Sequence, residues 1–335
     1  MLNTIAVMNT KGGVGKSPIV LALAETLSAH HNKNVLVIDS DAQASVSSML
    51  MTVNSLYKLQ TDGLTLVDYL VATVLQRTQS DWRTFVMRNV SDVDDARSVY
   101  LIPSDMQLTL LEREVSKESL HAQLRSSIRH LLNEVSSVFD VILIDCPPGL
   151  SVLTESWLRE ADFHIAPTKA DYVSLCGREV FRRFKGRNPE MGFARNMGVL
   201  INMFESSSAG DEEYRRWLMD NAEHNCFPQP VPRSNALQDA ARYVPPDRSY
   251  LAKYPGIAGQ AVRKLAEEVL ARMAAASSSA SEPKPKAEAA KTSDAAVIEA
   301  AVKATETATV ATPSPGGPET AAAEKAGGLK SAASA

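Results

Sequence analysis

Between Lys11 and Ser17 the chain places two lysines, Lys11 and Lys16, three glycines, Gly12, Gly13 and Gly15, and a serine within seven residues. Glycines lack Cβ atoms, so the backbone can turn tightly and aim successive N–H groups into one concavity where phosphate oxygens fit. Lys16 is spaced to reach the outer phosphates of a nucleotide, and the Ser17 hydroxyl to ligate a magnesium ion. The usual phosphate-loop pattern, G-x-x-x-x-G-K-[ST], fails by one residue, because its first glycine falls on Thr10. Lys11 stands beside that gap. The elements needed to present such a loop are in place: an apolar run of β-forming residues to Met8 precedes it, and a helical pattern over about 16 to 29 follows. The N-terminus of that helix points at the same spot and adds about half a positive charge.

Acidic residues end two further apolar runs. "VLVIDSDAQAS" (35 to 45) carries Asp39, Asp41 and Gln43, and "FDVILIDCPPGL" (139 to 150) carries Asp145. Aspartates after strands also serve as helix N-caps, so Asp39 or Asp41 alone reads equally well as a cap. Asp145 carries more weight, because four consecutive apolar residues before it predict a strand buried on both faces, and ligands gather at the C-terminal ends of such strands. Cys146 has no thiol partner nearby in sequence and reads as packing. A fourth run, "MGVLINMF" (197 to 204), contains Asn202.

Taken in order, these segments resemble the ParA/MinD family of deviant Walker A ATPases, whose loop reads K-G-G-x-G-K-[ST]. The acidic motif at 35–45, the strand ending in aspartate and two prolines at 139–150, Asn202, and "FPQPVPRSNALQDAARY" (227 to 243) match its later motifs over roughly 240 residues. The resemblance implies ATP and Mg2+ as ligands. It implies that Lys11, Gly12, Gly13, Val14, Gly15, Lys16, Ser17 and Pro18 enclose the phosphates and that Asn202 contacts adenine. Ser17 would bind the metal directly, Asp39 and Asp145 would hold its water ligands, and Asp41 would orient the attacking water. Lys11 would cross to the nucleotide of a second subunit, so that ATP drives a symmetric homodimer. "PPGL" (147 to 150) and the Asp41 loop would sense the γ-phosphate. Pro18 departs from the family, which usually has a threonine there; the first helical turn tolerates the ring, but one phosphate contact is missing.

Strand-like runs at about 3–8, 34–38, 98–102, 141–145, 162–166 and 197–202 alternate with helical stretches. They predict an α/β fold, a mostly parallel twisted sheet flanked by helices. The stretch 45–97 is less regular: "TDGLTLVDYLVATVL" reads as a turn and helix, and "SDVDDARS" as a polar loop. Residues 256–275 carry helical spacing that closes the folded domain, 1–275. The remainder, 276–335, is rich in alanine, proline, serine and threonine, has no aromatic residue, and holds six lysines against seven acids. So few large apolar groups predict a disordered tail.

The chain has 335 residues, 44% of them hydrophobic, a net charge of −4 and three widely spaced cysteines. Disulfides are not expected, no run approaches the ~20 apolar residues of a membrane span, and a cytoplasmic, nucleoid-associated location is the expectation. Within the family, some members bind DNA non-specifically and position plasmids, chromosome regions or protein cargo through an adaptor, and others dock on membranes by an amphipathic C-terminal helix. The alanine-rich C-terminus has no basic or bulky apolar face, which disfavours the membrane mode. "GREVFRRFKGR" (177 to 187) gathers Arg178, Arg182, Arg183, Lys185 and Arg187 as a candidate DNA stripe; the alternative is an ordinary solvated helix face. No DNA-reading module precedes the loop, which argues against a sequence-specific repressor. A nucleotide-gated scaffold without hydrolysis is the competing role.

Overall fold

The computed structural model describes residues 2–245 and 247–279, leaving out within one helix the side chains of residues 172, 173 and 175–178. Six strands, β1 (Thr4–Val7), β2 (Val35–Asp39), β3 (Val99–Ile102), β4 (Val141–Asp145), β5 (Phe163–Thr168) and β6 (Arg195–Ile201), form one sheet in the order β3-β2-β4-β1-β5-β6. Every pairing is parallel. All six lie on the apolar runs predicted for them, and β1 takes a central place because its four residues are buried on both faces.

Among the described residues, twelve α-helices connect and cover the strands: α1 (Lys16–His31), α2 (Ser45–Leu50), α3 (Val53–Thr61), α4 (Leu66–Leu70), α5 (Leu108–Val115), α6 (Glu118–Val135), α7 (Val152–Glu160), α8 (Tyr172–Arg187), α9 (Ala209–Asp220), α10 (Asn235–Ala240), α11 (Tyr250–Lys253) and α12 (Gly256–Ser279). Successive strand residues feed opposite cores, as the two-residue period requires. Ile5, Val7, Val35, Val37, Val141 and Leu143 pack toward α1 and α12, whereas Ala6, Leu36, Ile38, Ile142 and Ile144 pack toward α4 to α7. Burial on both faces explains why these strands read as unbroken apolar runs. In the stretch 45–97 the predicted helix after "TDG" is α4, which passes into one π-helical turn, Val71–Leu75.

The last helix outruns its predicted end. Ala276 still packs on the core, and the Ser277 and Ser278 hydroxyls bond back to Met273 and Ala274 carbonyls at 3.0 and 2.9 Å, so helix continues to Ser279. The rest of the tail predicted to be disordered lies outside the described residues. Among those described, no helix is long and apolar enough to cross a membrane.

Candidate nucleotide site

The glycine-rich loop leaves the C-terminal end of β1, between β4 and β5, where ligands bind in open α/β sheets. Asn9 fastens its start: the side-chain amide donates to the Pro167 carbonyl at 2.7 Å, and Oδ1 accepts from the Lys11 N–H at 2.9 Å. Gly13 (φ 72°) and Gly15 (φ 83°) hold left-handed backbone. Gly15 is doubly required, because a Cβ there would stand 2.4 Å from Asn202 Nδ2. No side chain caps α1, and its first hydrogen bond runs from Ile19 N to Gly15 O. The N–H groups of Lys16 and Ser17 therefore remain for a ligand, while Pro18 offers none. Gly12 approaches the Pro148 ring, so the phosphate loop and the proline loop after β4 face one another.

At the floor of the site Asp39 and Asp145 stand in register on neighbouring strands, each fully buried. Asp39 Oδ2 accepts from the N–H and hydroxyl of Ser47 at 2.9 and 2.6 Å, and Oδ1 from the Asp41 N–H at 3.2 Å. Both oxygens of Asp145 lack a hydrogen-bond partner. Burial and the Asp39 charge push the Asp145 carboxyl well above the carboxylate range, against the pull of the Ser17 hydroxyl and Lys16. Burial likewise lifts Asp39 to about 6, although the Ser47 and Asp41 donors oppose the rise. An orphaned buried carboxylate beside a second acid and a serine hydroxyl offers the oxygens that a hard cation and its water shell take, while the Lys16 ammonium is suited to phosphate. Magnesium fits there.

Asp41, only 9% exposed, accepts from Gln43 N at 3.0 Å and stands close enough to Asp39 and Asp145 for its charge to act on both. Lys11 lies folded within its own chain: Nζ sits 3.3 Å from Asp171 Oδ1 and 3.1 Å from Ser174 Oγ, at the N-cap of α8. Asp171 and Ser174 escaped sequence reading; "DYVS" has the spacing of a helix cap, but nothing local marks a partner 160 residues away. Asn202 turns inward, its amide donating to the Val14 carbonyl at 2.8 Å. The segment 227–243 runs past it, with Phe204 N on Val231 O and Arg233 N on Phe204 O. Cys146 packs, as predicted: it is fully buried, and burial pushes its thiol upward.

The basic stripe is divided. Arg182 and Arg183 both pair with Glu179, and Arg182 reaches Glu223 as well. These guanidinia hold Glu179 near 2. Lys185 does not belong to an open stripe: half-buried, it donates to the Ala194 carbonyl at 2.6 Å, and burial lowers its pKa. Arg187 is exposed. The side chain of Arg178 lies outside the described residues.

A family model described as an AAA domain matches residues 2–188, more than half of the chain. The chain belongs to the ParA/MinD family of P-loop ATPases. A chromosome-partitioning ATPase Soj of Treponema pallidum is 28% identical over 277 residues, covering 81% of this chain and 98% of its own. Among solved structures, a putative plasmid partition protein of Borrelia burgdorferi bound to AMPPNP superposes with a TM-score of 0.60 at 21% identity, covering 81% of this chain and 99% of that one. A cobyrinic acid a,c-diamide synthase of Mycobacterium smegmatis, bound to an ATP analogue and magnesium, gives 0.62 at 22% identity, covering 81% and 94%. The synthase shares the sheet and its helices, so this likeness speaks for the fold and not for a shared reaction.

Proposed function

We propose that this chain is an ATP- and magnesium-dependent ATPase that dimerises on ATP, grips DNA without sequence preference and positions plasmid, chromosome or protein cargo through an adaptor. The observation that carries the nucleotide part is the phosphate loop and free α1 N-terminus set directly above the orphaned Asp145 carboxylate. Lys16, Ser17 and the loop N–H groups from Gly12 to Gly15 hold the phosphates. Ser17, Asp39 and Asp145 hold magnesium and its waters, and the metal, when bound, neutralises charge developing between the outer phosphates. Asp41 orients the attacking water. Lys11 releases Asp171 and Ser174 and crosses to the nucleotide of a second copy, where it stabilises the transition-state charge. Asn202 and the 227–243 segment flank the base.

The partition role rests on the Soj likeness and on α8. Its exposed arginines are tied to Glu179 by solvent-screened surface ion pairs, so a phosphate backbone can displace the glutamate at low cost. DNA retention by the full chain should therefore require ATP, persist longer in Asp41→Ala, and fall steeply between about 50 and 200 mM salt. A gel shift with ATP, ADP and no nucleotide measures this. Equal retention in all three states, or none with ATP bound, contradicts the DNA reading.

A further inference from the structure

We propose that Ser47 is a positioning residue for the magnesium shell, fixing Asp39 in the one rotamer in which it serves the metal's waters. This rests on the placement of Asp39 beside magnesium given above. Ser47 lies in the first turn of α2, is fully buried, and approaches Asp39 Oδ2 twice, through its N–H at 2.9 Å and its hydroxyl at 2.6 Å.

The Ser47 hydroxyl donates to Asp39 and its oxygen accepts the Ser104 N–H at 3.1 Å, from the turn after β3, so its one proton and one of its lone pairs are both engaged. Two donors on one carboxylate oxygen hold the Asp39 side chain against rotation about χ2. Oδ1 is left with only the more distant Asp41 N–H at 3.2 Å, and Asp39 stands in register with Asp145 on the neighbouring strand. The Ser104 turn is anchored in its own right, since Gln60 of α3 donates to the Ser104 carbonyl at 3.1 Å. Two elements far from the phosphate loop in sequence thus brace one carboxylate. Removing the hydroxyl takes one of two donors from Oδ2 and leaves the buried Ser104 N–H without a partner.

A merely structural hydroxyl would lower the thermal midpoint and leave metal dependence alone. The test is calorimetric binding of AMPPNP to the full chain, with magnesium and with EDTA, for wild type, Ser47→Ala, Ser47→Thr and Asp39→Asn. Ser47→Ala should cut the gain in affinity from magnesium by about tenfold, as loss of a hydrogen bond to a charged group implies, while affinity in EDTA stays within about twofold. Ser47→Thr, which keeps the hydroxyl, should restore it. Adding Asp39→Asn to Ser47→Ala should cost little more, because both act through one carboxylate. If Asp39→Asn weakens the magnesium gain and Ser47→Ala does not, the inference is overturned and the reading of Asp39 survives. If Asp39→Asn has no effect either, the reading of Asp39 fails and the inference with it.

Discussion

Asp39 and Asp145 are two carboxylates placed side by side in a fully buried floor, an arrangement that costs stability when no cation is bound near them. The sign follows from the pKa values. Asp39 rises from 3.8 to about 6 on folding, so between those values the unfolded chain has released a proton that the folded chain keeps. Stability of the nucleotide-free protein is therefore lost as pH rises through this window, by up to about 3 kcal/mol from Asp39 alone. The loss continues until Asp145, raised further by burial and by Asp39, also ionises. Asp145→Asn removes the mutual repulsion. Its nucleotide-free form should melt higher than wild type at pH 8, and the difference should shrink toward pH 5 in a series of melts. A lower midpoint at pH 8 would mean that the pair is not under electrostatic strain. Magnesium should raise the wild-type midpoint and leave that of Asp145→Asn unchanged.

At the scale of elements, α1 carries the phosphate loop on one end and a buried charge network on its flank. Glu25 of α1 accepts from Lys253 at 2.7 Å, from Tyr254 at 2.6 Å and from Ser91 at 2.7 Å. Lys253, fully buried, also meets Asp92, which in turn binds Arg248 and the Val244 N–H. This cluster ties α1 to α11 and to the loop before β3. Lys253→Met leaves two buried carboxylates short of a cation and should cost about 3–5 kcal/mol, read as a fall in the denaturant midpoint. A change under about 1 kcal/mol would show that the network is neutral to stability. The contrast with the sheet explains what the sequence made legible. Strands announced themselves because burial on both faces leaves apolar runs, and the phosphate loop because its glycines and lysines are contiguous. "SDVDDARS" read as a solvated loop, yet Asp92 in it is wholly buried, since its partners come from more than 150 residues away. Lys11 was legible as a residue type, but its seat on Asp171 was not, for the same reason. Arg182 and Arg183 read as a DNA stripe although Glu179, in the same stretch, stands at pairing distance three and four residues before them; only the reach of Arg182 to Glu223 lay beyond local spacing.

At the scale of the whole molecule, each chain holds a phosphate loop whose extra lysine rests on its own α8 cap, one bond from the helix that bears the arginines. In the proposed cycle, transfer of Lys11 to a second copy would join nucleotide state to assembly, and assembly would bring two α8 helices onto one DNA. That coupling is the central claim. Light scattering of the full chain with magnesium and either ATP or ADP tests it most directly, on wild type, on Asp41→Ala to prolong the ATP state, and on Lys11→Ala. The mass should double with ATP in Asp41→Ala, stay that of one chain with ADP, and stay that of one chain with ATP in Lys11→Ala. A single-chain mass with ATP demonstrably bound to Asp41→Ala, or an undiminished dimer in Lys11→Ala, would contradict it.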